Sequence, residues 1–392
     1  LSGETFLAHL FFPGYMLCPA AASFIILFLS RIWDLSRTPA KGNGADPIRL
    51  PVRSGIRESR LEFHYHYSNF LVYGGAGSGK TKSIGKWLLS EYMRLGFAGF
   101  IYDFKDTDYT RTAYNLIKRH RYPHKFYYVS FDRPERSYRF NPLKVVRDRT
   151  ELIQLMEDVL LALLPKKEQQ NEWVAGGLGI LRGVAFRFWD EFPEHCTLPH
   201  ILAFIMTASA RQLSLFLQQN LVSEMLAGAY LKAEGSEKTQ ASYLSTLCNN
   251  LATISQNEEI AYVLSGDDFD FNLIDPENPK LFAVSNNFSK NSVYAPVISM
   301  LMTISARQFS MQNRVPFVYF LDEMTTVNIK NFETLPSVLR EYKAAFILLT
   351  QSGAKLENLY GKLDRSSVEA NFGNMFLGRT KDVDCLLYTS DA

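Results

Sequence analysis

The chain has 392 residues, of which 47% are hydrophobic and 21% are charged. This balance is typical of a folded globular protein and excludes the collagen-like, low-complexity and coiled-coil classes. The net charge is only +2, so charge by itself does not indicate nucleic-acid binding. The four cysteines lie far apart, which supports neither a disulfide framework nor a structural zinc site.

The chain starts with an apolar segment, because residues 5–30 contain no Lys, Arg, Asp or Glu. About 20 apolar residues span the core of a bilayer, and basic residues that follow such a segment mark the cytoplasmic side. A cleaved signal peptide and a buried core helix are the alternatives. A signal peptide starts with basic residues, whereas only Glu4 precedes this run. We expect a transmembrane segment over 1–30.

Residues 31–60 carry an excess of basic side chains, with seven basic and three acidic residues. Several glycines and prolines lie among these charges, a composition typical of linkers. The sequence therefore predicts a basic juxtamembrane linker over 31–60. The body from residue 61 onward is nearly neutral.

The most specific motif follows a short run of β-forming residues at 69–73 and precedes a helical pattern at 83–93. It matches GxxxxGK[ST], the phosphate-binding loop, in which backbone N–H groups turn toward phosphates. We expect Lys80 to reach the β- and γ-phosphates of ATP and the Thr81 hydroxyl to bind Mg²⁺. The predicted nucleotide-binding residues are Gly74, Gly75, Ala76, Gly77, Ser78, Gly79, Lys80 and Thr81.

Two carboxylates, Asp322 and Glu323, follow the apolar run 315–321. A P-loop enzyme needs a carboxylate at the end of a neighbouring buried strand to hold magnesium. We expect Asp322 to bind Mg²⁺ through water and Glu323 to polarise the attacking water. A nucleotide-regulated scaffold without turnover is the alternative, which Glu323 disfavours.

Continuous apolar runs at 99–102, 280–285 and 344–350 predict further strands of a parallel sheet that is buried on both faces. Weaker runs lie at 125–130 and 375–378. Polar residues that follow parallel strands meet at one edge, where open α/β sheets bind ligands. Gln351 follows one such strand, so it either senses the γ-phosphate or simply ends the strand.

The pattern changes to helices over 148–262, where apolar residues recur at three- and four-residue spacing. We interpret 148–262 as an all-α domain inserted into an α/β nucleotide-binding domain. The first part of that domain is 61–147 and the second part is 263–384. Residues 385–392 carry no motif that we can assign.

In the order of its motifs, the chain resembles the type IV secretion coupling proteins of bacterial conjugation, of the TraD/TraG type, over residues 61–380. The shared motifs are the loop 74–81, Asp103-Phe-Lys105, Phe140-Asn-Pro-Leu143, Glu237-Lys-Thr-Gln-Ala-Ser242, Leu321-Asp-Glu323, Leu339-Arg-Glu-Tyr-Lys343, Gln351 and Asn371-Phe-Gly-Asn374. One departure lies after the second strand, where the family commonly has Asp-Pro-Lys-Gly-Glu.

The resemblance implies a RecA-like hexameric ATPase in the bacterial inner membrane, with its ATPase body in the cytoplasm. Such a protein receives relaxase-bound single-stranded DNA and drives the strand into the type IV secretion channel. Related coupling ATPases that export proteins, and other membrane-tethered hexameric DNA translocases, are the alternatives.

The resemblance also implies an arginine finger at Arg340, which lies 18 residues after Asp322 and 11 before Gln351. An arginine finger enters the nucleotide site of the neighbouring subunit and neutralises charge on the transferring phosphoryl group. The alternative is a surface charge paired with Glu341 or Glu333.

Overall fold

The computed structural model describes residues 46–54, 57–105, 107–164, 168–310 and 315–379. The predicted transmembrane segment 1–30 and the unassigned residues 385–392 lie outside these ranges. Within them, no helix is both long enough and apolar enough to cross a membrane.

The first elements are two antiparallel strands, β1 (Ile48–Ser54) and β2 (Arg57–Phe63). The linker predicted over 31–60 is therefore wrong from Ile48 onward. Alternate residues of a strand point to one face, and here Ile48 and Leu50 are buried against the body. The hairpin formed by β1 and β2 is thus a packed part of the fold.

The body is built on a seven-stranded sheet in which all neighbouring strands are parallel. The order across the sheet is β5-β6-β4-β7-β8-β3-β9. The parallel sheet predicted from the continuous apolar runs is confirmed, because every residue of β3, β4, β6, β7 and β8 is buried. In chain order the strands are β3 (Phe70–Tyr73), β4 (Ala98–Asp103), β5 (Lys125–Ser130), β6 (Lys280–Ser285), β7 (Phe317–Leu321), β8 (Ala344–Thr350) and β9 (Asn374–Leu377).

Two helices, α1 (Lys86–Arg94) and α2 (Asp108–His120), pack with the hairpin on one face of the sheet. Leu88, Leu89 and Tyr92 of α1 lie in one apolar cluster with Ile48 and Leu50 of the hairpin. This cluster fixes the start of α1 against the sheet.

Helices follow between β5 and β6, and the described residues there contain no strand. These helices share one continuous apolar cluster with the second face of the sheet, so the insertion packs directly onto the nucleotide-binding domain. They are α3 (Arg149–Ala162), α4 (Glu172–Glu191), α5 (Leu198–Thr207), α6 (Ala210–Gln218), α7 (Leu221–Leu226), α8 (Gly228–Lys232), α9 (Glu237–Ser255) and α10 (Glu258–Leu264).

Four helices follow β6 and contribute to the same cluster. They are α11 (Asn291–Arg307), α12 (Leu335–Glu341), α13 (Gly353–Tyr360) and α14 (Lys362–Ala370). Asn69, which is buried just before β3, is hydrogen-bonded to α12, to the residue that follows α14 and to β8. Its amide donates to Pro336 O of α12 and to Asn371 O after α14, and its carbonyl accepts from Phe346 N–H of β8.

Candidate nucleotide-binding site

The phosphate-binding loop joins β3 to α1 through backbone conformations that favour glycine. Gly77 and Gly79 have φ of +74° and +86°, a region that other residues rarely adopt. A Cβ on Gly74 would collide with the Ser78 side chain, which would have to move to admit it. The glycine pattern of the motif is therefore required by the loop's shape.

Lys80 is held inside the site by two short hydrogen bonds. Its Nζ donates to Glu323 Oε1 at 2.6 Å and to Gly74 O at 2.8 Å. The Lys80 and Glu323 side chains are only 5% and 2% exposed. Burial lowers the pKa of Lys80, and the bond to Glu323 opposes this shift. The fold thus joins two predicted catalytic residues that are 243 positions apart in the chain.

Asp322 lies beside this ion pair at the end of β7, fully buried, and neither of its carboxylate oxygens is hydrogen-bonded to a residue that the structure describes. Burial raises its pKa to about 7, and the nearby Glu323 and Asp103 carboxylates add to the shift, whereas Lys105 opposes it. A buried carboxylate without partners is costly unless a cation binds to it. The geometry fits the predicted magnesium site.

Other buried oxygen atoms at the same edge of the sheet also lack partners among the described residues. They are Glu323 Oε2, Ser78 Oγ in the loop and Thr350 Oγ1 at the end of β8. Buried polar atoms in native proteins are normally hydrogen-bonded, and a phosphate or cation bound at this edge would supply the partners that these oxygens lack. Carboxylate and hydroxyl oxygens are the ligands that Mg²⁺ prefers, and a hydroxyl can donate to phosphate.

Gln351 lies between the loop and the two carboxylates. Its strand, β8, separates β3 from β7 in the sheet, and Gly74 N–H donates to Thr350 O at 3.2 Å. The Gln351 side chain is partly exposed and accepts from Lys355 Nζ at 2.7 Å. The strand order therefore brings Gln351 to the site, and its role as a γ-phosphate sensor stays a prediction.

Arg340 is the one predicted site residue that lies away from the loop of its own chain. It is exposed in the last turn of α12. That helix lies at the start of β3, because Asn69, the residue just before β3, donates to Pro336 O of α12. That is the opposite edge of the sheet from the loop, which follows β3. No ion pair joins Arg340 to Glu341 or Glu333 in the part of the chain that the structure describes.

A polar network that the sequence reasoning missed fixes the backbone of Glu323, whose φ is +46°. Thr326 Oγ1 donates to Glu323 O at 2.7 Å and also lies 2.6 Å from Tyr102 OH. Asn286 Nδ2, in turn, donates to Tyr102 OH at 2.8 Å. Asn286 follows the end of β6, so the rule that identified Asp322 would also have identified it.

The strand order, the loop and the adjoining carboxylates define a P-loop nucleotide-binding protein with a RecA-like parallel sheet. A family model described as the type IV secretion-system coupling protein DNA-binding domain matches residues 61–392. The chain therefore belongs to this family, and the resemblance inferred from the sequence motifs is confirmed. No curated protein sequence matches the chain.

Solved structures of TrwB coupling proteins and of a VirB4 protein have the same fold. The plasmid coupling protein TrwB in complex with ADP and Mg²⁺ is 17% identical, with a TM-score of 0.63 over 86% of this chain and 80% of that one. An unbound form of conjugative coupling protein TrwBdeltaN70 is 16% identical, with a TM-score of 0.64 over 88% and 74%. VirB4 of Thermoanaerobacter pseudethanolicus is 14% identical, with a TM-score of 0.54 over 89% and 87%.

The burial of Asp322 predicts that Asp322→Asn stabilises the ligand-free protein in alkaline solution. The pKa of Asp322 rises from 3.8 to about 7 on folding, so the cost of its charge is fully present above pH 7 and disappears as pH falls toward 3.8. The raised pKa corresponds to at most about 4 kcal/mol at pH 8. Urea unfolding without nucleotide or Mg²⁺ should show that Asp322→Asn increases the free energy of unfolding at pH 8. This increase should be smaller by about half or more at pH 5.

Glu323→Gln is the matched control, because it removes the neighbouring carboxylate but leaves the buried Lys80 ammonium without its ion-pair partner. This variant should be less stable than the parent at pH 8. A gain from Asp322→Asn that is equal at the two pH values would contradict the assignment of a charged, unpaired Asp322.

Proposed function

We propose that the protein is an ATPase that couples relaxase-bound single-stranded DNA to a type IV secretion channel and drives the strand through it during conjugation. The observation that carries this proposal is the buried constellation of Lys80, Asp322 and Glu323 at the phosphate-binding loop of a chain from the coupling-protein family. Complexes of TrwB with ADP and Mg²⁺, and with a non-hydrolysable ATP analogue, support ATP and Mg²⁺ as the ligands.

The mechanism starts from the Lys80–Glu323 ion pair. Lys80 would leave Glu323 to bind the β- and γ-phosphates, and Glu323 would then be free to orient the attacking water. Thr81 and Asp322 would hold Mg²⁺, which neutralises charge on the phosphate oxygens when bound. Nucleotide binding therefore exchanges one partner of Lys80 for another, and the exchange prepares the general base.

The proposed setting is the bacterial inner membrane, with residues 1–30 as the anchor and the ATPase body in the cytoplasm. The uncharged run at 5–30 and the basic residues that follow it support this orientation. We propose a homo-hexameric ring, since the exposed Arg340 is available to a neighbouring subunit. Relaxase and channel proteins would be its partners.

Turnover should depend on both members of the buried ion pair. Lys80→Ala should abolish ATP hydrolysis, because it removes the charge that meets the phosphates. Glu323→Gln should bind ATP at least as tightly as the parent without hydrolysing it, because Lys80 is released and the water-orienting carboxylate is lost. Phosphate release and nucleotide binding would be measured side by side. If Glu323→Gln hydrolysed ATP at the parental rate, Glu323 would not be the base. Lys82→Ala, which removes an exposed neighbouring lysine, is the control.

Single-stranded DNA should stimulate this hydrolysis and bind through its phosphates. A translocating ring contacts the backbone of any sequence, so affinity should fall steeply with salt and show little sequence preference. Titrations of two unrelated oligonucleotides at two ionic strengths would measure both properties. Sequence-selective binding that barely responds to salt, or hydrolysis that ignores DNA, would argue against a DNA pump.

Arg340 should act on the site of the adjacent subunit. Arginine fingers contribute roughly 10³ to 10⁵ in rate, so Arg340→Ala should be nearly inactive. Mixing it with inactive Lys80→Ala subunits creates interfaces where an intact Lys80 meets an intact Arg340, and some hydrolysis should return.

Arg119→Ala, an exposed arginine on α2, serves as the control and should keep parental activity. If rings shown to contain both inactive variants recover no activity, Arg340 does not act across the subunit interface.

A further inference from the structure

A broad groove of about 1280 Å³ runs between the hairpin and the first turns after the phosphate-binding loop. Small-molecule sites commonly enclose roughly 300 to 1,000 Å³, so the groove has room for a nucleoside. Leu50 and Leu61 line it from the hairpin, Phe376 lines it from β9, and Ser83, Ile84 and Trp87 line it from the segment after Thr81.

The strand order determines on which side of the loop this groove lies. β8 and β7 lie on one side of β3 and lead to Asp322 and Glu323, whereas β9 lies on the other side and leads to Phe376. A bound polyphosphate would have its terminal phosphate at Lys80, beside the carboxylates. Its first phosphate, which carries the nucleoside, would then lie toward the groove.

The two aromatic walls differ in how firmly they are held. The Phe376 ring stacks on Phe70 at 6.3 Å and meets Phe63 edge-on at 6.4 Å, so it forms a fixed floor. Trp87 is 43% exposed and makes no ring contact with any described residue. It follows Ser83 by four positions, which places both on one face of the helical segment. The indole is thus an open apolar surface on the helix that follows the loop.

We propose that this groove holds the nucleoside of a bound purine nucleotide, with the base stacked on Trp87, an inference that rests on the proposed function. The phosphate-binding loop would then supply the charge interactions and the groove would supply the apolar contact. The hairpin, which the sequence suggested was linker, becomes a wall of the nucleotide site.

The test compares two ligands of the full chain by calorimetry, ADP and inorganic tripolyphosphate, each with Mg²⁺. Base stacking on an aromatic side chain contributes roughly 1 to 3 kcal/mol, so Trp87→Ala should raise the Kd for ADP by roughly 5- to 150-fold. The Kd for tripolyphosphate, which has no base, should stay within about twofold. Trp87→Phe should restore most of the ADP affinity, because a smaller ring still stacks.

Trp173→Ala is the matched control, since Trp173 is 38% exposed on α4 of the insertion and should leave both affinities unchanged. An unchanged ADP affinity in Trp87→Ala, or an equal loss for both ligands, would overturn the proposal. A shift in oligomeric state with unchanged ADP affinity would assign the groove to a neighbouring subunit instead and would also overturn it. A parent chain that binds neither ligand would refute the proposed ATPase itself, which separates the two failures.

Discussion

The site depends on one constraint, the common direction of all seven strands in the sheet. Because the strands are parallel, each delivers the residue that follows it to the same edge. β3 delivers the phosphate-binding loop, β7 delivers Asp322 and Glu323, and β8 delivers Gln351 between them. Reversal of any of these strands would move its polar residue to the far edge of the sheet, where Arg340 and α12 lie.

Burial at this edge makes the electrostatics of the site unusually sensitive to its ligands. Lys80 and Glu323 neutralise each other in a nearly dry environment, while no described residue hydrogen-bonds to the Asp322 carboxylate. Buried ion pairs often contribute no more to stability than apolar residues of similar volume, and a buried charge without a partner is costly. The proposed phosphate and cation would supply the missing partners, so we expect the protein to be less stable without these ligands than with them.

The insertion and the nucleotide site are parts of one packed body. The helices of the insertion share an apolar cluster with β7 and β8, the two strands that lead to Asp322, Glu323 and Gln351. A second link is polar. The Asp158 side chain of α3, which is 8% exposed, accepts from Arg307 of α11 at 2.7 Å and from Lys330, seven residues after Glu323, at 3.0 Å. The inserted helices therefore pack against the strands that lead to the candidate nucleotide site.

The sequence by itself determined the local features of this protein. The loop 74–81 is contiguous, so its glycine spacing and lysine identify it without a fold, and unbroken apolar runs identify strands buried on both faces. The alternation of Ile48, Leu50 and Val52 was also present, but the surrounding prolines, glycines and charges obscured it. Strand existence and the nucleotide motif were accordingly predictable, and the hairpin was missed.

Only the tertiary structure decided which distant residues meet. An apolar run indicates a strand but not its neighbours, so the pairing of Lys80 with Glu323, the unpartnered state of Asp322 and the exposure of Arg340 on the opposite edge depend on strand order. The groove at Trp87 likewise exists only because the hairpin and β9 pack beside the start of α1. These contacts join residues that are tens to hundreds of positions apart, and local sequence preferences carry no information about such distances.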